Sequence, residues 1–146
     1  MTVPTASPAC VDAAEVDSRY KFVVALKAKL PPGVAANAAS HLCLWLAAKA
    51  ATEQPELLRK MSFLTFSDAD AGSHAPVSGL SLVVLEGRPA WVRRLRDQAD
   101  ASGLLYTDFT AEMKATPEQA LDYYGIAVFG QRDVLDPLTK KFSLLR

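Results

Sequence analysis

The stretch "KFVVALKAKLPPGVAANAASHLCLWLAAK", residues 21–49, constrains the fold more than any other part of the chain. Phe22 to Leu26 is an unbroken, partly β-branched apolar run, the pattern of a strand buried on both faces. Pro31, Pro32 and Gly33 end it abruptly. An alanine- and leucine-rich run of high helix propensity follows. Strand, tight turn and helix together make the first half of a βα unit, which needs a sheet on one side and more helix on the other.

The rest of the chain repeats that alternation. "PELLRKM" (55–61) predicts a short helix and "SFLTFS" (62–67) a strand, followed by the breaker-rich loop "DADAGSHAPVSG" (68–79). "LSLVVLEG" (80–87) is a second apolar strand. "RPAWVRRLRDQADASG" (88–103) is an amphipathic helix with Trp91, Leu95 and Ala99 on one stripe and Gly103 as its stop. "LLYTDF" predicts a short strand, "TPEQALDYY" a helix opened by Thr116 and Pro117, and "GIAVFG" a third apolar strand. The tail "QRDVLDPLTKKFSLLR" predicts a helical turn and a closing strand. The expected fold is one three-layer α/β/α domain over 18–146, with a small mixed sheet of about four to five strands. Residues 1–17, with two prolines and no periodicity, read as a flexible leader.

A length of 146 residues suits a single core. Sixteen basic side chains meet sixteen acidic ones, so no global field draws in nucleic acid. Cys10 and Cys43 form no disulfide framework and no zinc-type spacing. No secretion signal opens the chain. The greasy stretch Ala35 to Ala51 is broken by Asn37, His41 and Lys49, too polar for a membrane span. The expectation is a cytoplasmic protein without membrane contact.

Ser40 and His41 each fall within about 60° of Asn37 on a helical wheel, on a face that turns apolar at Leu44 and Ala48. They lie at the helix end nearest the strand's exit, where α/β proteins bind ligands and free N–H groups attract anions. There an imidazole can shuttle protons and an amide can orient a carbonyl. The candidate catalytic set is His41 as general base, Asn37 on the carbonyl oxygen and Asp108 holding the imidazole tautomer. Gly33, Ser40 and Lys27 are the substrate-binding candidates. The same residues also fit a hydrogen-bonded knot in a packed helix, and spacing leaves both readings open.

"DADAG" fails as a calcium loop, because its glycine comes fifth and the twelfth residue is Gly79, not glutamate. His74, Asp68 and Asp70 read as an exposed loop. Arg88, Arg93, Arg94 and Arg96, interleaved with Asp97 and Asp100, read as a solvated helix face. No motif calls for a metal or a cofactor, and no phosphate loop or nucleophile elbow is present.

Three blocks, "KFVVALKAKLPPGVAANAASHLCLWL", "VRRLRDQADASGLLYTDFT" and "GIAVFGQRDVLDPLTKKFSLLR", resemble in content and order those of the type II peptidyl-tRNA hydrolase fold. Over roughly 18–146 the chain is most similar to a bacterial branch of that fold, the domain-of-unknown-function family two thousand. The hydrolases carry G-K-x-x-x-Q-x-x-H at the first helix. Here Gly33 and His41 match its ends, but Val34 stands at the lysine position and Ala38 at the glutamine position. Asp108 matches the aspartate of their D-A-G-R-T-Q run, whereas Ala111, Glu112 and Met113 stand at the positions of its arginine, threonine and glutamine. The resemblance therefore implies the fold without the machinery that grips a tRNA backbone and a developing oxyanion.

Three readings follow. The favoured one is a small-molecule-binding or regulatory module lacking peptidyl-tRNA hydrolase activity. The alternative is a hydrolase of a small ester or amide, using His41, Asn37 and Asp108. The third is a homodimer formed through Trp91 or the alanine-rich face.

Overall fold

The computed structural model describes residues 7–8, 10–111 and 116–146. In chain order the elements are β1 (Cys10–Val11), β2 (Tyr20–Lys27), α1 (Pro32–Glu53), α2 (Pro55–Lys60), β3 (Phe63–Leu64), β4 (Val77–Ser78), β5 (Leu82–Gly87), α3 (Pro89–Ala101), β6 (Leu105–Thr110), β7 (Tyr123–Gln131), α4 (Arg132–Thr139) and β8 (Ser143–Leu144). The main sheet is five-stranded and mixed, in the order β6-β7-β2-β5-β8. β2, β5 and β6 run one way, while β7 and β8 oppose them.

β2 holds the centre, as its apolar run predicts. Phe22 through Leu26 are all buried, paired on one side with β7 (Val24↔Ala127) and on the other with β5 (Val24↔Val84). Alternate side chains point to opposite faces. Phe22, Val24 and Leu26 pack with Ala35, Ala38, Leu42 and Leu46 of α1, whereas Val23 and Ala25 pack with Val92, Leu95 and Ala99 of α3 and Leu135 of α4. Helices thus cover both faces, giving three layers. Each fully buried leucine or valine contributes roughly 1.5–3 kcal/mol relative to exposure. α4 is also tied to β2 by the ion pair between the half-exposed Asp136 and the buried Lys21.

α1 buries Ala35, Ala38, Leu42, Leu46 and Ala50, one residue every three or four, and exposes the opposite face. That outward face includes Leu44, 74% exposed, and Trp45, 58% exposed. β6 is an edge strand, and α1 secures it twice. Thr107 Oγ1 donates to the Leu42 carbonyl at 2.9 Å, and Lys49 Nζ donates to the Tyr106 carbonyl at 3.0 Å.

Four expectations change. "TPEQALDYY" forms only a 3-10 turn at Glu118–Ala120, and Tyr123 and Tyr124 already belong to β7. "SFLTFS" forms a strand only at Phe63 and Leu64, in a separate three-stranded sheet ordered β1-β3-β4, with one further isolated bridge from Ser67 to Ser73. The segment read as leader reaches into the fold, because β1 pairs with β3 and Asp17 forms ion pairs with Arg19 and Lys60. The part of that leader at 1–6 and 9 lies outside the described residues. The Trp91 stripe is shifted, with Val92, Leu95 and Ala99 as the buried set and Trp91 half-buried. Gly103 does end α3, at φ +65°, a left-handed conformation that glycine adopts without strain.

Gly125 in β7 faces the core where chains approach most closely. A Cβ there would stand 2.7 Å from Leu26 Cδ2, 3.0 Å from the Ala25 carbonyl oxygen and 3.0 Å from Leu42 Cδ1. Gly125→Ala is expected to lower unfolding free energy by about 1–3 kcal/mol in urea melts, because the backbone carbonyl cannot yield.

Candidate functional site

The carboxyl ends of β2, β5 and β6 meet at one edge of the sheet, where α1 begins. This is the edge at which open α/β sheets bind ligands. A register shift between Phe109 and Thr110 leaves Tyr124 unpaired as an extra residue of β7. Such a bulge re-aims a side chain. Tyr124 consequently packs toward α1, tilted against Phe109 at 6.2 Å between ring centroids. Phe109 stacks on His41 at 5.4 Å and 16°. Lys27 Nζ sits 4.9 Å from the Tyr124 ring centre and donates to Asp122 Oδ2 at 2.8 Å. An imidazole, two aromatic rings, an ammonium and a carboxylate thus form one continuous row.

The sequence candidates divide across this frame. Asn37, Ser40 and His41 are exposed on the outer face of α1. Ser40 Oγ is turned back to donate to the Ala36 carbonyl at 2.7 Å. Gly33 is exposed in the first helical turn, with no atom within 4 Å of where a Cβ would stand. His41 and Lys27 join the same row through Phe109 and Tyr124.

Asp108 does not join it. Neighbouring strand residues face opposite ways, so with Phe109 toward α1, Asp108 points toward α3. There it accepts from Arg96 Nε at 3.3 Å. Among the described residues no hydrogen bond links His41 to Asn37 or Asp108, and the expected three-residue set is not assembled. Phe109, Tyr124 and Asp122 were missed by sequence reasoning. The doubled tyrosine before Gly125 breaks strand alternation, and that break was the available signal for a bulge.

Beside α1, on the side toward β5, lies an open hollow of about 410 Å³. Leu30, Ala35, Ala36, Ala39 and Val84 form its apolar walls, and Arg146 stands among its lining residues. Its volume falls in the range of small-molecule sites.

The other sequence motifs are satisfied locally. Asp68 caps its own loop, accepting from the Asp70 and Gly72 amides at 2.9 Å each and contacting His74 Nε2 at 3.0 Å. The Gly72 amide, then His74 and the Asp70 amide, hold its carboxyl below the usual range. Among the described residues no group of three His, Cys, Asp or Glu could hold a metal ion, and no helix is long and apolar enough to cross a membrane. Arg93 donates to the Glu118 and Leu121 carbonyls at 2.8 and 3.0 Å, so this arginine ties down the segment before β7.

With this geometry in view, the matches to known proteins bear on family. Residues 20–146 match the family described as protein of unknown function DUF2000. The chain belongs to that family. This DUF2000 chain is also similar to a solved protein of unknown function from Agrobacterium tumefaciens strain C58. The TM-score is 0.70 at 18% identity, over 88% of this chain and 98% of that one. At that identity the likeness concerns the fold alone. No curated protein matches the DUF2000 chain.

Tyr106, on the α3 side of β6, has a measurable signature. Burial, then the hydrogen bond donated to Asp100 at 2.9 Å, pushes the Tyr106 phenol up to about 12. A raised folded-state value means the native state keeps its proton longer. The stability this phenol contributes is present below the unfolded value near 10 and is lost as pH rises toward 12. Spectrophotometric titration of the native protein should show a late phenol phase that shrinks in Tyr106→Phe.

Proposed function

We propose that this protein is a small-ligand-binding or regulatory module with a peptidyl-tRNA hydrolase II-like fold and without peptidyl-tRNA hydrolase activity. The observation that carries the reading is the 410 Å³ hollow against the first turns of α1. An apolar ligand body would lie on Ala36, Ala39 and Val84, with Gly33 and Ser40 at the neighbouring exposed helix surface. Lys27, His41 and Asn37 offer a separate polar surface on the other flank of the same helix, outside this hollow's lining. The fold assignment rests on the three sequence blocks. The missing activity rests on Val34 and Ala38, which offer neither charge nor donor where the hydrolases resembled have both.

A thermal-shift screen of small metabolites is the test. A hit should raise Tm for the native protein and lose that shift in Ala36→Leu, which fills the hollow from a solvent-exposed position. Ala36→Leu should itself change stability by less than about 0.5 kcal/mol. A hit that still binds Ala36→Leu would place the ligand elsewhere. Purified protein should release no peptide from a peptidyl-tRNA substrate.

The hydrolase alternative draws on one observation, that the His41 imidazole is open to solvent at the strand ends. With Asp108 on the far face, it retains His41 as base and Asn37 as the orienting amide. It requires ester hydrolysis that vanishes in a folded His41→Ala variant. Equal rates in both proteins would remove it.

A further inference from the structure

We infer that the groove between α3 and α4, on the sheet face away from the α1 hollow, is a second binding site, for a small arylcarboxylate. The groove encloses about 120 Å³, room for one ring and its acid group rather than a nucleotide. Trp91, Phe142 and Leu138 form apolar walls, and Arg94, Lys141 and Gln98 line the same space.

The walls are preformed. Trp91 and Phe142 meet edge to face, with centroids 6.0 Å apart and planes at 70°. Gly87 lets them settle, because a Cβ there would stand 2.6 Å from Phe142 Cδ1 and 3.1 Å from Trp91 Cε3. Arg88 lies 5.3 Å from the Trp91 ring centre and braces its position. Such a ring pair leaves an aromatic slot that needs no rearrangement to accept a third ring.

The charges point the same way. Of the three arginines within α3, Arg93 binds Glu118 and Arg96 binds Asp97 and Asp108. Arg94 has no anionic partner among the described residues, and neither has Lys141. Among the described residues no carboxylate lines the groove. Two cations and an amide therefore converge on one hollow whose other surfaces are aromatic or aliphatic. A carboxylate accepts charge-assisted hydrogen bonds from these cations, while its ring covers the apolar wall. Neither a bare anion nor a neutral ring does both.

The experiment is a two-dimensional amide and indole NMR titration of the full chain with benzoate, benzyl alcohol and acetate. Benzoate should shift the Trp91 indole and the Phe142 amide saturably, and bind about tenfold more tightly than either comparator. Arg94→Gln with Lys141→Gln alters exposed side chains only and should weaken benzoate by about tenfold. Arg59→Gln, another cation without an ion pair among the described residues, should change it by less than about twofold. Equal binding of benzyl alcohol, an unchanged affinity in the double variant, non-saturating shifts, or shifts confined to α1 would each overturn the site. Ala36→Leu should leave benzoate binding intact, which separates this outcome from that of the α1 hollow.

Discussion

Between its two ends β2 is buried on both faces and paired on both edges, and the other elements are arranged around that constraint. An eight-residue strand with six buried consecutive positions must be flanked by two strands and covered by two helical layers. β7 and β5 supply the edges, and α1 and α3 the covers. The direction of β2 also decides where chemistry can gather. Its parallel neighbour β5, and β6 two strands away, end at the same border, so the starts of α1 and α3 and the segment before β7 converge there.

Much of this was legible because burial on two faces leaves an unmistakable apolar run. Phe22 to Leu26, Val83 to Leu85 and Ile126 to Phe129 each mark a strand without help from tertiary context. Short, exposed strands carry no such mark. Phe63 pairs with Ser78 and Leu64 with Val77 over only two residues, in sequence that also suits a loop. "TPEQALDYY" has a helix-like start, yet Tyr123 and Tyr124 are worth more to the core as β7, where Tyr123 is buried. Tertiary burial overrode local propensity.

The candidate site was legible in part for a related reason. α1 is apolar nearly all round, so periodicity could not say which side faces the sheet. Asn37, Ser40 and His41 look outward, and only the ring of His41 leans back onto Phe109. Asp108 was paired with His41 by proximity to a strand end. Strand parity puts it on the α3 side, and nothing in the sequence states which helix covers which face. Two of the hollows among the described residues lie on opposite sides of one sheet. The one beside α1 is mainly aliphatic, whereas the one between α3 and α4 is aromatic and cationic.

The ammonium of Lys49 over the Tyr106 carbonyl has a wider meaning. β6 is the one long strand at the sheet's border, and its outward amide and carbonyl groups would match any extended segment that came alongside. By occupying one of those acceptors with a charge carried on a rigid helix, the protein makes that border costly to extend, since an incoming strand must first displace and strand a cation.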